Sequence, residues 1–241
     1  PYLLKMTNSE LFAVMVGGLS SVAGAVLVGY YQMGVPMEYL IAASFMAAPG
    51  GLLFAKILVP ETQTPADVTG VDMTSGHENV LDAAAEGATS GMSLAINVAA
   101  MLIAFISMVA MVNFLLGYAN TSLQEILGIL FKPIAWSMGV PWEEATIVGT
   151  LMGEKIVLTE LIAFRDLSNF IEKDLISERS SVIASYALCG FANFGSIGIQ
   201  LGGIGAMAPE RRVDLSNLVI KAMIGGALAS WLTASIAGVL I

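Results

Sequence analysis

The chain has 241 residues, of which 12% are charged and 56% hydrophobic, whereas an ordinary soluble domain is about 25% charged. That composition excludes a water-soluble globule and a disordered segment, and so apolar a chain is counted in membrane spans rather than in domains. A net charge of −9 leaves no basic surface to neutralise phosphates, which excludes nucleic acid as a partner. One cysteine, Cys189, excludes a disulfide framework and a thiolate metal site, and one histidine, His77, in a polar linker, leaves little room for histidine catalysis or zinc.

Uncharged intervals organise what remains. They number 27 residues between Glu10 and Glu38, 17 between Glu38 and Lys56, 38 between Glu86 and Glu125, and 30 between Arg179 and Glu210. About 20 apolar residues cross the hydrocarbon core, so spanning helices are predicted near 8–31, 37–58, 95–117, 181–205 and 216–240. Pro60 to Asn79 is polar, acidic and rich in Thr, Asp and Gly, which predicts an exposed loop. The Ala-rich Val80–Met92 then starts a long helix lying partly at the interface. After it, Leu123–Val140 is amphipathic, and Pro141–Phe164 splits into short apolar pieces around Gly153, Glu154 and Lys155. Each piece is too short to cross but long enough to enter and turn back, which predicts a re-entrant hairpin.

Two spans carry glycine-rich interruptions, Gly17-Gly18-Leu19-Ser20-Ser21-Val22-Ala23-Gly24 and Gly190-Phe191-Ala192-Asn193-Phe194-Gly195-Ser196. In each, a polar residue follows a glycine by three positions: Ser21 after Gly18, and Asn193 after Gly190. Breaks at matching places in two halves point to a transporter site; the competing reading is that small residues merely let helices pack closely. The expected fold is all-α, a polytopic membrane protein with about five spanning helices, two of them broken, one re-entrant helical hairpin and an interfacial helix. Its expected divisions are 1–58 (first broken helix and following span), 59–79 (polar loop), 80–120 (interfacial segment and long scaffold helix), 121–168 (interfacial helix and hairpin) and 169–241 (second broken helix and last span).

Polar residues inside apolar segments are the candidate site. Glu160 stands in Ile156–Phe164, where a carboxylate at the bilayer centre costs on the order of 3 kcal/mol unless it faces a cavity or a partner. It is either a site residue or the structural partner of Lys155. Asn193 and Ser196 offer several fixed donors and acceptors, as a polyhydroxylated solute requires, or else bond between helices. Ser20 and Ser21 place hydroxyls beside carbonyls released by the first break, the neutral oxygens that suit sodium, or else bond back to their own helical turn. Glu143 and Glu144, in the first turn of a short helix after Trp142, read as structural. The 14 methionines form no copper ladder, and Gly202-Gly203-Ile204-Gly205 lacks the following Lys-Ser/Thr of a phosphate loop. Basic residues lean toward a cytoplasmic 206–214 loop and an outside C-terminus.

The run Met6-Thr7-Asn8-Ser9-Glu10-Leu11-Phe12-Ala13-Val14-Met15, the Gly17-Gly18 break, Ala43-Ser44-Phe45-Met46-Ala47-Ala48-Pro49-Gly50, Gly139-Val140-Pro141-Trp142 and Gly190-Phe191-Ala192-Asn193 resemble the concentrative nucleoside transporter family, most of all its bacterial members. The resemblance implies sodium-driven nucleoside uptake by a homotrimer in the bacterial cytoplasmic membrane, with no cofactor beyond sodium as the coupling ion. By the same resemblance Glu160, Asn193 and Ser196 contact the ribose, Phe191 lies near the base, and Ser21 and Val22 give oxygens to sodium. Thr159 departs from the asparagine of a close bacterial relative. The family's first hairpin, which reads the base and completes the sodium site, is expected to end just before Pro1. The chain then holds the ribose half and part of the cation half of a longer polypeptide, and is not expected to transport alone. The rival readings are proton coupling with Glu160 as carrier, a non-transporting structural subunit, and an intramembrane enzyme, which would need a base or metal near a nucleophile, whereas the only histidine lies in a polar linker.

Overall fold

The computed structural model describes residues 2–66 and 79–241; His77 and most of the predicted 60–79 loop lie outside them. Among the described residues there are ten α-helices and no strand. Helix α1 (Asn8–Ser20) begins on a capping box, in which the Thr7 hydroxyl accepts from the Glu10 N–H and the Glu10 carboxylate accepts from the Thr7 N–H. Residues 21–23 are not helical, with Ser21 and Ala23 extended, and α2 (Gly24–Gln32) resumes the path, so the first predicted break is present. Together 8–32 is long and apolar enough to cross a membrane, as are α3 (Met37–Leu58) and the stretch Pro209–Leu240 that contains α10 (Arg212–Leu240).

Helix α4 (Val80–Leu116) is continuous for 37 residues, about 55 Å at 1.5 Å per residue, and it covers the third predicted span. Its apolar flank is open, with Ile96, Ile103 and Phe114 each more than 60% exposed. The chain then bends by 87° into α5 (Leu123–Ser137). Asn120 takes the left-handed conformation at the bend. The Asn113 side chain fixes the corner by accepting from the Leu123 N–H and donating to Gln124.

Helices α6 (Ala145–Val157) and α7 (Glu160–Glu172) form a tight helix pair whose turn is Leu158–Thr159. The sequence pattern divides the segment around Gly153, Glu154 and Lys155; in the structure those residues are inside α6. Gly153 reads as a breaker, yet it is there because α6 lies against α5, where a methyl on Gly153 would come 2.6 Å from the Leu127 side chain. Glu143 and Glu144 also precede the first turn of α6 rather than occupying it, and the Glu144 carboxylate serves another helix, accepting from the N–H and hydroxyl of Ser177, the N-cap of α8.

The predicted span 181–205 is divided between α8 (Glu178–Leu188) and α9 (Phe194–Met207), with the second break between them. Helix α10 is the post on which α1, α3, α8 and α9 pack. Its Gly225 and Gly226 admit Val16 and Leu19 of α1, and its Ala229 lies beside Gly50 of α3. One apolar core joins α2, α3 and α5 to α8, and a second joins α1, α3 and α10, with Trp231 packed against both. Arg179 closes the far end by donating to the carbonyls of Gly139, Gly238 and Ile241.

Candidate functional site

The two breaks cross, with Gly190 of the second against the Ser20 carbonyl of the first. Each break exposes backbone groups that a continuous helix would pair, since the last turn of a helix lacks donors for its carbonyls and the first turn lacks acceptors for its N–H groups. At the second break Asn193 is the N-cap of α9. Its Oδ1 accepts from the backbone N–H of Ser196 at 2.8 Å and from the Ser196 hydroxyl at 3.0 Å. Asn193 and Ser196, three positions apart, are therefore at the spacing of an N-cap and the backbone N–H that it accepts from. With its oxygen so used, the amide of Asn193 turns its Nδ2 outward, donating to Glu160 Oε2 at 2.9 Å.

Glu160 is the first residue of α7, placed by the Leu158–Thr159 turn with Thr159 as N-cap. Asparagine at position 159 would cap equally well, so the departure of Thr159 leaves that turn intact. The second carboxylate oxygen, Oε1, accepts from the Tyr30 hydroxyl at 3.0 Å. Tyr30 lies on α2, and its ring stacks on Phe164 of α7 at a centroid separation of 4.3 Å. A single chain of bonds thus runs from α2 through Tyr30 and Glu160 to Asn193 and Ser196, and all four side chains are buried.

Of the predicted site residues, Glu160, Asn193 and Ser196 come together. Phe191 is half-buried in the same break, its carbonyl accepting from the Asn193 N–H. Ser21 and Val22 lie in the first break, half-buried and buried respectively. The neighbouring Ser20 hydroxyl reaches the carbonyls of Gly17 and Ala47, at 3.3 and 3.4 Å. Glu160 is not the partner of Lys155. The Lys155 ammonium is fully buried and donates to the Ala187 carbonyl at 2.9 Å, the Ser230 hydroxyl at 3.1 Å and the Cys189 carbonyl at 3.3 Å.

Tyr30 and Lys155 are the two functional candidates that sequence reasoning missed. Tyr30 sits in an apolar run where a tyrosine suits packing or an interface, and nothing local marks its hydroxyl. Lys155 did carry a signal, a cation in an otherwise apolar stretch, but its nearness to Glu160 in sequence suggested an ion pair with the wrong group.

Apolar helices interrupted where they cross, with a carboxylate from a helix pair bonded into one crossing, define a polytopic membrane protein of the broken-helix transporter type. Residues 39–238 match the family model described as "Na+ dependent nucleoside transporter C-terminus". The whole chain is 48% identical to an uncharacterized transporter of Haemophilus influenzae, and 44% identical to the nucleoside permease NupC of Helicobacter pylori. It spans 61% and 60% of those relatives, about three fifths of their length. Among solved structures, CNTnw in an inward-facing substrate-bound state superposes with a TM-score of 0.86 at 51% identity, over 99% of this chain and 59% of that one. The chain belongs to the Na+-dependent nucleoside transporter family, corresponding to the C-terminal portion of its members.

Proposed function

We propose that the chain carries the sugar-binding half of a sodium-coupled nucleoside symporter of a bacterial cytoplasmic membrane. The observation that carries this reading is the buried chain Tyr30–Glu160–Asn193–Ser196 at the crossing of two broken helices. A sugar needs several fixed donors and acceptors rather than one strong charge, and a carboxylate, an amide and a hydroxyl in bonding contact supply them. In this reading Glu160, Asn193 and Ser196 bind the ribose and Phe191 flanks the base. Sodium, a co-transported substrate here, is held by the Ser21 hydroxyl and by carbonyls around Val22. Neutral oxygens released by an interrupted helix fit a hard monovalent cation.

The same proposal extends to the architecture. Five spans cross the membrane, α5 lies at the interface with Trp136 and Trp142 in edge contact, and α6–α7 is a re-entrant hairpin. The divisions 1–58, 59–79, 80–120, 121–168 and 169–241 follow, with α4 as scaffold and its open apolar flank facing lipid or the other subunits of a homotrimer. Sodium binding first orders the first break, the nucleoside then docks on Glu160, and a rigid-body movement against the scaffold changes exposure. A sodium ion moving inward gains about 2.3 kcal/mol per 100 mV, which at one-to-one coupling sustains roughly fiftyfold accumulation from voltage alone.

The test is radiolabelled uridine uptake into proteoliposomes holding the full-length protein, with and without a sodium gradient, beside Glu160→Gln. Sodium-dependent uptake that is lost in the variant, with assembly intact, is the expected result. Uptake indifferent to sodium but collapsing with the pH gradient moves the coupling to protons, and uptake indifferent to the variant removes Glu160 from the site. Failure of the full-length protein to bind any nucleoside leaves a structural subunit.

A further inference from the structure

The hairpin α6–α7 contributes two oppositely charged side chains to the second break, five positions apart in sequence. They go to opposite ends of it. Lys155 reaches the carbonyls where α8 ends, and Glu160 reaches the N-cap where α9 begins. A helix C-terminus carries partial negative charge and an N-terminus partial positive charge, so each side chain meets the end of complementary sign. An ammonium has three N–H donors and no acceptor capacity, and three oxygens surround Lys155. Two are carbonyls, and the third, the Ser230 hydroxyl, spends its own proton on the Cys189 carbonyl at 2.6 Å. The protonated amine thus satisfies the whole cage, drawn from α8, the break and α10.

The first break is held differently. The donors on its carbonyls are neutral, the Ser20 hydroxyl and the Ser21 N–H on Gly17, and Ala23, the N-cap of α2, makes no side-chain cap bond.

We propose that Lys155 is the built-in cation of the second break: its ammonium holds the carbonyls released at the end of α8, in the role a bound cation fills at the first break, and so positions Asn193 and Glu160. Lys155 is a positioning residue, acting on solute through the two side chains whose spacing it sets. That division lets one break respond to an added ion while the other stays assembled without one. The cage rests on its hydrogen bonds alone; the effect on solute rests on the nucleoside reading above.

The experiment uses the full-length protein carrying Lys155→Ala. The substitution removes three carbons and the nitrogen beyond Cβ, the atoms of n-propylammonium. Thermal unfolding is followed with n-propylammonium, with n-propanol of the same size and no charge, and with tetramethylammonium, which has charge and no N–H donor. Selective stabilisation of the variant by n-propylammonium is expected, a rise of roughly 2 °C at about ten times its dissociation constant, with no such rise for the parent. Equal effects of n-propylammonium and n-propanol, or no effect of either, would overturn the cage.

The second variant, Lys155→Met, keeps the volume and drops the donors. It is expected to melt below the parent and to lose at least about tenfold of the preference for uridine over 2′,3′-dideoxyuridine, roughly one charge-assisted hydrogen bond, while preference among bases is kept. Unchanged sugar preference overturns the positioning role, and a parent-like melting temperature overturns the cage even where Lys155→Ala does not fold. A parent that binds no nucleoside defeats the nucleoside reading instead, and the unfolding measurements still decide the role of Lys155.

Discussion

Gly190 and Ser20 fix how the two broken helices cross. Gly190 has φ +115°, and the methyl it lacks would stand 2.7 Å from the Ser20 carbonyl oxygen and 3.0 Å from the Ser230 hydroxyl. Both the backbone conformation and the space require glycine. Gly190→Ala is therefore expected to destabilise the protein by more than about 1 kcal/mol and to weaken nucleoside binding by separating the breaks. Gly203, inside α9 with open space at its Cβ position, is the control: Gly203→Ala should leave the melting temperature unchanged or raised. Equal losses at the two positions would mean that the crossing tolerates a wider separation.

Tyr30 supplies one of the two side-chain donors on Glu160, and it comes from the broken helix that the nucleoside reading assigns to sodium. Tyr30→Phe keeps the stacking on Phe164 but leaves Glu160 Oε1 without that donor. Removing one partner of a buried polar group costs about 1–3 kcal/mol, so nucleoside affinity should fall roughly 5- to 150-fold. The sodium concentration needed for half-maximal nucleoside binding should also rise, because the link between the two breaks is cut. Titration of nucleoside binding against sodium in parent and variant measures both. An affinity loss with unchanged sodium dependence would leave Tyr30 as local support for the carboxylate only.

The features that show in the sequence are those that violate the composition of their surroundings. Glycine clusters in apolar runs mark both breaks, and Glu160, Asn193 and Ser196 stand out as polar groups that hydrocarbon does not tolerate alone. The residues that escaped notice are compatible with more than one environment. Tyr30 has an apolar body and one hydroxyl, and only the fold reveals that α2 lies on α7. Gly153 and Lys155 mimic a turn because glycine and charge commonly punctuate helices, but here glycine admits a neighbouring helix and the lysine has a cage of two carbonyls at the end of α8 and a hydroxyl of α10. Such partners lie about 32 to 75 positions away along the chain, beyond the reach of local periodicity.

Glu144 makes a pH dependence expected outside the membrane-spanning segments. Partial burial pushes its carboxyl upward, but hydrogen bonds from the Ser180 hydroxyl and from the N–H and hydroxyl of Ser177 outweigh this and hold it below the ordinary carboxylate range. A carboxylate lowered on folding stabilises the folded state above its unfolded value, about 4.3, and that contribution is lost as pH falls through the lower folded value. Thermal unfolding of the parent should therefore shift downward on acidification below about pH 5. Glu144→Gln should start lower at neutral pH and lose part of that acid dependence. Parallel pH profiles for the two proteins would show that the Ser177 contacts contribute nothing to stability.

A close helix approach that supports the site is between α5 and α6. A methyl on Gly149 would stand 2.6 Å from the Gly128 carbonyl oxygen and 3.0 Å from the Lys132 nitrogen, both backbone atoms that no side-chain rotation can move. Small residues that let helix backbones touch are the usual means of association where lipid gives no hydrophobic drive between helices. Gly149→Ala must push α6 off α5, at a cost of about 1–3 kcal/mol, and α6 carries Lys155 six positions further on. Loss of stability should therefore come with loss of sugar discrimination. Gly18→Ala is the comparison, since its new methyl would meet only the Gln200 amide at 2.8 Å, the end of a flexible side chain that can swing away from the Met15 carbonyl. The expected order is a larger drop in melting temperature for Gly149→Ala than for Gly18→Ala; the reverse order would mean that α5 does not brace the hairpin.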